Sequence, residues 1–447
     1  VSESLDVPRP AVAALPTWPL VAMFGLTPLW WLLGLMYLGW PLFGALLAAL
    51  LVTRGRVGLP AGTGCWLVFV GLVVVSVTRI DRATAYVSFA LRLSYVLTAF
   101  VVCLYVYTLA REQAAWHRLM RPVCLFWLAL VALGWLGVVA PTFTAASPIE
   151  LLLPHGIASQ KFVHDLTHLQ ATEFNPLGRN PIYRPSAPYP YTNNWGTAYS
   201  MLVPCVLAYV ASVRRGALRV ILVVSLPLSV VPAFLTLNRG MFIGLGAGLA
   251  YLGARALARG QVRLVLPVAA LVLLAWLVSL VIPVGQLIAN RTSSTDSTTD
   301  RLDLYAQTWA EVVRSPLLGY GVPNTVDTTH AAEPLGTQGQ LWQLLYSHGI
   351  PAFVCFLLLL VVVARRLAGA VSAAGQWLST VPVIAIVIMP FYAYIDPNMS
   401  VLFYAVGLGL AAVDGPVNRE PRRESHRATP DASPVTAGSL AAGGPGR

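Results

Sequence analysis

Residues 85–110 read AYVSFALRLSYVLTAFVVCLYVYTLA, with Arg92 as their one charged side chain. An α-helix crosses a bilayer with about 20 predominantly apolar residues, and this run exceeds that length. Further apolar runs lie outward from it in both directions, centred on 21–36, 41–52, 62–77, 123–139, 197–213, 220–237, 241–258, 264–284, 341–364, 377–395 and 399–413. The pattern predicts twelve spans. The runs 41–52 and 399–413 are short, so eleven or thirteen are also compatible with it.

Composition agrees. Of 447 residues, 57% are apolar and 11% charged, against about 25% charged in a soluble domain. Mean hydropathy is +0.70. Such a chain has too little polar material to cover a soluble surface, which excludes a soluble enzyme, a disordered chain and a nucleic-acid-binding domain. The formal net charge of +11 comes from short basic clusters between apolar runs, the form of a topology signal. Lys161 is the only lysine among 29 basic residues, an arginine bias that suits the GC-rich genome of a bacterium such as an actinobacterium. Cys65, Cys103, Cys124, Cys205 and Cys355 all sit in apolar runs and read as small core residues, without disulfide or metal spacing.

Alternate connections carry the basic residues. One set holds Arg54 and Arg56; Arg111, Arg118 and Arg121; Arg214, Arg215 and Arg219; Arg255, Arg259 and Arg263; Arg365 and Arg366; and the Arg-rich tail. The positive-inside rule assigns this set, and with it both termini, to the cytoplasm. The expected fold is all-α: one polytopic membrane bundle over 1–414, with extracytoplasmic loops at about 141–195 and 285–340 that contain short helices. A Pro-, Ser-, Ala- and Gly-rich tail over 415–447 reads as disordered and cytoplasmic. Glu3 and Asp6 precede Arg9, so no cleavable signal peptide is expected. Long loops in a compact protein are usually functional, which puts the chemistry outside the membrane. No G-x-x-x-x-G-K-[ST] run supports a nucleotide-driven pump.

Charge close to lipid is the informative anomaly in such a chain. Arg239, in Leu237-Asn238-Arg239-Gly240, stands between two apolar runs with almost no loop. It reads either as a snorkelling residue or as an anion ligand at the head of the next helix. Arg301 opens a segment with apolar residues at 302, 305, 309, 312 and 313, a helical spacing. That helix is expected to lie on the membrane face with Leu302, Tyr305 and Trp309 inward. Arg92 sits about three turns into its span, where an unpaired Arg costs roughly 3 kcal/mol. It is expected to face the bundle and meet an anion such as Asp396 or a lipid phosphate. In the first outer loop His164 and His168 stand at i, i+4 around Asp165. A zinc pair is conceivable, but no third ligand stands at a convincing distance in the sequence. A helix surface is the better reading, and no metal site is assigned. Tyr183, Tyr189, Tyr191 and Trp195 form an aromatic end to this loop, suited to an interface belt or to stacking on sugars.

Four of these stretches resemble, in order, the O-antigen ligase and polymerase superfamily. Asn193-Asn194-Trp195-Gly196 is similar to its Pro-Asn-x-x-Gly element, and Leu237-Asn238-Arg239-Gly240 to its Ser-Arg-Gly motif. Arg301 to Trp309, followed by Ser315-Pro316-Leu317-Leu318-Gly319-Tyr320-Gly321, resembles its large outer loop. Leu341 to Gly349 matches the start of the next helix. The resemblance covers about 191–360. It implies a membrane glycosyltransferase that moves a glycan from a polyprenyl-diphosphate carrier (undecaprenyl or decaprenyl) to an acceptor glycan or glycolipid outside the bacterial plasma membrane, in polysaccharide assembly, with no cofactor. Arg239 and Arg301 occupy the positions that hold the diphosphate, and guanidinium forks suit phosphate oxygens. Neutralising the leaving group in this way requires no metal. Arg92, Asn194 and Tyr305 complete the expected substrate-binding set.

One position departs from the family. Its usual His falls on Gln338, which cannot act as a general base at neutral pH. His330, Glu333 and His348 are the nearby alternatives for that role. A transporter or flippase that recognises the same lipid phosphate without covalent chemistry is the rival reading. It is disfavoured by the lack of an internal repeat and by the long outer loops. A further rival, another kind of polyprenyl-phosphate glycosyltransferase, commonly carries acidic residues in its first outer loop, and 37–40 has none.

Overall fold

The structure is a computed structural model that describes residues 15–83, 85–112, 116–154, 161–175, 182–260, 297–323, 335–394 and 396–415, with isolated positions at 156, 266, 269 and 273. The chain begins with α1 (Trp18–Leu20), a π-helical turn (Val21–Gly25) and α2 (Thr27–Leu33), followed by α3 (Gly39–Arg54), α4 (Thr63–Val75), α5 (Ala85–Glu112) and α6 (Trp116–Val139). The first outer loop then folds into β1 (Thr144–Ala145), α7 (Pro148–Leu152), α8 (Lys161–Thr167), β2 (Leu169–Gln170), β3 (Thr172–Asn175) and β4 (Ile182–Pro185). Next come α9 (Thr192–Ser212), α10 (Ala217–Leu235), α11 (Arg239–Ala258), α12 (Ser297–Arg314), α13 (Gln340–Leu367), α14 (Ala373–Leu378), α15 (Thr380–Ile388) and α16 (Asp396–Asp414). Among the described residues, seven helices are long and apolar enough to cross a membrane, and three apolar helices are shorter. The run at 264–284 lies outside the described residues.

Three runs expected as single spans are interrupted, each beside a proline. A proline has no N–H to donate to the carbonyl four residues before it. In the first run Pro28 cannot use the Phe24 carbonyl, and the Thr27 hydroxyl donates to it instead at 2.8 Å. In the run at 377–395, Pro382 leaves Leu378 without its helical donor, and the helix breaks at Ser379 and ends at Ile388. In α13, Pro351 leaves Ser347 without one, and Gly349 turns out of the helix at φ 81°.

Close backbone approach joins the elements. On α11, Gly240, Gly244 and Gly248 form a buried stripe. A Cβ on Gly244 would stand 2.4 Å from Ile388 Cγ2, and one on Gly248 2.8 Å from Ile384. Small residues at such spacing let membrane helices pack backbone to backbone, which seats α11 on α15. The most extensive helix pair is α5 with α16.

The expected cytoplasmic basic residues gather at one end. Arg54 pairs with Glu112 at 2.5 Å and Arg366 with Asp414 at 2.7 Å. Arg111 donates to the Gly415 carbonyl, while Arg255 and Arg259 both donate to that of Ala368. The first residues of α11 and α13 stand at the opposite end, because each of these helices ends among the basic residues.

The loop at 141–191 contains the short helices expected, and it adds two short β-ribbons to the all-α architecture expected. β1 pairs with β2 and β3 with β4, both antiparallel. Across the second pair, Arg184 meets Glu173 at 2.6 Å. The other Glu173 oxygen accepts the backbone N–H of Thr192 at 2.8 Å, a carboxylate on an orphan donor at the head of α9.

Candidate active site

Three helix heads meet on one non-helical segment, residues 390–394, which begins as a turn. At the head of α9, the buried Asn194 donates through Nδ2 to the Ala393 carbonyl at 3.3 Å, and its own carbonyl accepts from Asn398 Nδ2 at 3.0 Å. At the head of α11, the Gly240 N–H donates to the Tyr392 hydroxyl at 3.0 Å. At the head of α13, Gln340 N donates to the Tyr392 carbonyl, and Gln340 Oε1 accepts from Tyr394 N at 2.8 Å. The heads also touch one another. Asn238 caps α11 by accepting from Met241 N at 3.0 Å and donates to the Thr192 carbonyl at 3.3 Å. A Cβ on Gly196 would fall 2.2 Å from Asn238 Nδ2. The 193–196 and 237–240 motifs are therefore one packed unit.

Leu237 brings the chain to this cap in the left-handed region, at φ 51°. A bulky residue there is strained by about 1–3 kcal/mol. The turn presents Arg239 as the first residue of α11, exposed. No hydrogen bond or ion pair holds its guanidinium among the described residues.

The Ser315–Gly321 motif fills the break in α13. The freed carbonyls of Tyr346 and Ser347 accept from Tyr320 N at 3.0 Å and Gly321 N at 2.7 Å, and Ile350 N donates to the Pro316 carbonyl at 2.7 Å. A broken helix is tolerated in a membrane protein where neighbouring groups satisfy what it releases. The Tyr320 hydroxyl donates to Glu311 at 2.9 Å. Burial first, and the Glu311 carboxylate second, raise this phenol above its ordinary value, so it stays a donor. α12 also lies along α13, with Tyr305 stacked on Trp342 at 4.6 Å between ring centroids. Of the three residues expected to turn inward, Tyr305 meets protein. Thr308 and Val312 are buried, whereas Leu302 and Trp309 are exposed. The chain carries two stripes at helical spacing, and the one through 305, 308, 312 and 315 packs on protein.

His348 ends the first segment of α13. Its Nδ1 lies 2.8 Å from Ser76 Oγ, and the Ser76 hydroxyl donates to the Val73 carbonyl at 2.7 Å. In the tautomer where Ser76 donates to Val73 and accepts from His348 Nδ1–H, Nε2 is left as a lone pair.

His348 lines a pocket that is partly open to solvent. Arg92, Gln340, Gln343, Tyr191 and Asp165 supply its other polar groups, while Val73, Phe89, Leu93, Val96, Leu166 and Leu344 form apolar wall. Arg92 Nε reaches Ser88 Oγ, one turn back on its own helix, at 3.5 Å, and Arg92 lines the pocket opposite residues of α13. The structure thus brings together Arg92 and His348. Asn194 and Tyr305 do not line the pocket: Asn194 lies on α9, just after the lining Tyr191, and Tyr305 lies on α12, which packs on α13, while Gln338 is buried just before α13. Arg239 does not line the cavity, but its helix head touches Tyr392, two residues from the lining Tyr394. The side chains of Arg301 and Asp396, and all of His330 and Glu333, lie outside the described residues.

Sequence reasoning missed Gln340, Gln343, Ser76 and the 390–394 segment. Pro390 was the available signal that the run 377–395 ends early. Ser76 has no signal in sequence, since its partner is a tertiary one.

Residues 224–357 match a family model described as O-antigen ligase. The matched stretch spans the head of α11, all of α12 and the broken first part of α13. Neither a curated relative nor a solved structure matches the chain.

Proposed function

We propose that this chain, whose residues 224–357 match the O-antigen ligase family model, belongs to the O-antigen ligase/polymerase superfamily and transfers a glycan from a polyprenyl-diphosphate carrier to an acceptor hydroxyl. The observation that carries this reading is the cavity itself. It sets an arginine and a histidine into a wall of apolar side chains, the combination that a lipid bearing a charged headgroup requires. The acceptor oxygen attacks the anomeric carbon, the carbon–oxygen bond to the diphosphate breaks, and the diphosphate leaves with the electron pair. Arg92, Arg239 and Arg301 are the guanidinium groups assigned to that leaving charge. Preorganised donors of this kind stabilise a transition state by about 3–4 kcal/mol each.

The acceptor's proton goes to His348 Nε2. Gln338 has no lone pair of sufficient basicity, and His348 offers Nε2 when its Nδ1–H donates to Ser76. Asn194 holds the 390–394 segment against α9, and Tyr305 holds α12 on α13 one helical turn after Arg301. The active site belongs at the extracytoplasmic end, opposite the basic cluster, of a multi-pass bacterial plasma-membrane protein. Ligation of a finished chain and polymerisation of repeat units use the same step. The arginine-biased composition mildly favours polymerisation or wall-glycan transfer.

Reconstituted protein supplied with a polyprenyl-diphosphate glycan and an acceptor tests the reading. Release of free polyprenyl diphosphate together with a new glycosidic bond is the expected result. Movement of intact glycolipid across the vesicle, with no bond broken, would establish the transport alternative instead.

A further inference from the structure

The first outer loop holds a second cluster, outside the cavity. Glu150 on α7 stands against His164 and His168 of α8 and the residue after it, with one donor atom from each lying within 4.8 Å of the others. His168 Nδ1 lies 2.9 Å from Glu150 Oε2 and 3.2 Å from Oε1, and His164 Nε2 lies 3.5 Å from Oε1. The two imidazole rings stack at 4.5 Å with 16° between planes. We propose that Glu150, His164 and His168 form a zinc site that fastens α8 to the outer face of the protein.

The donor chemistry fits zinc, which takes imidazole nitrogen and carboxylate oxygen at about 2.0–2.2 Å in a tetrahedral shell. Two such ligands at a tetrahedral angle stand about 3.3 Å apart, the spacing seen between Glu150 Oε1 and each ring nitrogen. A pair of nitrogens and one carboxylate leave a fourth position for water. Calcium and magnesium prefer all-oxygen shells, which this set does not offer.

The ligands are held in place before any ion arrives. Glu150 is the closing residue of a capping box: its amide donates to Ser147 Oγ at 3.2 Å, and its Oε2 accepts from Ser147 N at 3.3 Å. His164 and His168 share a face at i, i+4, and His168 N donates to the His164 carbonyl at 2.8 Å. The second ring nitrogen of His168 lies 2.7 Å from Thr144 Oγ1 on β1. Donating Nε2–H to that hydroxyl leaves Nδ1 as the lone pair for metal, the outer-shell bond that metal-ligating histidines normally make. Three successive elements of the loop, β1, α7 and α8, thus converge on one point.

The placement gives the ion a consequence. α8 turns His164 and His168 toward Glu150 and sets Asp165 and Leu166 in the cavity wall. Asp165 Oδ2 accepts from the Tyr191 hydroxyl at 2.6 Å. Zinc on one side of α8 therefore fixes the wall on the other. The site stands whether or not the cavity performs glycosyl transfer.

The test uses the full chain, purified in detergent through a tag without histidine, stripped with chelator and reloaded with zinc chloride. Elemental analysis is expected to give one zinc per chain in the wild type and none above background in a Glu150→Gln, His164→Asn double variant. Zinc is expected to raise the melting temperature of the wild type and to leave that of the variant unchanged. Equal melting temperatures of the two zinc-free proteins show that the variant folds. Thr144→Val, which touches no ligand atom for the ion, is expected to weaken zinc binding about 10-fold. Zinc retained by the double variant, no zinc on the wild type, or preferential binding of calcium or magnesium would each overturn the assignment.

Discussion

The Ser76 contact bears on the tautomer of the His348 ring: when the Ser76 hydroxyl donates to the Val73 carbonyl at 2.7 Å, the imidazole donates to Ser76 from Nδ1. Replacing His348 with Gln preserves size and a hydrogen bond but removes the basic lone pair. Turnover is expected to fall about 100-fold or more, with donor affinity within twofold of wild type. An unchanged turnover number would show that the acceptor proton leaves by another route. Ser76→Ala frees the tautomer and is expected to cost about 10-fold in turnover, the worth of about one hydrogen bond. Arg92→Ala is expected to weaken donor binding as well as turnover, since a fixed guanidinium acts on the diphosphate before and during departure. A measured loss confined to acceptor affinity would contradict that role.

Little of this residue-scale detail was legible beforehand. Arg92, Arg239 and His348 stood out because charge or imidazole in an apolar run is costly. Their companions did not, because Ser76, Gln340 and Gln343 are ordinary residues whose meaning is wholly tertiary. Glu150 shows the same limit. The i, i+4 histidines were visible, but their third partner comes from another helix, and a capping box rather than a motif delivers it.

At the scale of elements, the break in α13 joins motif to site. Gly349 holds φ 81°, and a Cβ there would stand 2.5 Å from the backbone of Leu317. Gly349→Ala therefore combines left-handed strain with a backbone clash and is expected to destabilise the protein by about 2–4 kcal/mol. Thermal unfolding in detergent measures this, and a melting temperature equal to wild type would rule out the docked geometry of 315–321. Each span was readable as an apolar run, whereas each interruption was not. Prolines 28, 351 and 382 were in plain view, but a membrane helix carries proline through without breaking when neighbours satisfy its carbonyls. Only the partners, Thr27 for one and Tyr320 and Gly321 for another, decide between a kink and a break. The protein-facing side of α12 was not legible for a related reason: it includes Thr308 and Ser315, polar residues that are buried only because of their tertiary partners.

The whole molecule is organised as two ends. Arginines and their carboxylate and carbonyl partners close one end, and helix heads gathered on 390–394 close the other. The positive-inside rule assigns the arginine end to the cytoplasm. In a cysteine-free background, Arg56→Cys is expected to react with a membrane-impermeant maleimide only after permeabilisation. Leu151→Cys, exposed on α7, is expected to react in intact cells. The reverse pattern would invert the topology and move the cavity to the cytosolic side.

The most direct measurement is a structure of the full chain in a lipid nanodisc with a non-transferable phosphonate analogue of the polyprenyl-diphosphate donor. The account predicts the two phosphorus groups at the extracytoplasmic mouth of the cavity, within about 3 Å of guanidinium nitrogens of Arg92, Arg239 or Arg301, with the anomeric carbon toward His348. Headgroup density away from all three arginines, with the cavity left to the lipid tail or to nothing, would contradict it.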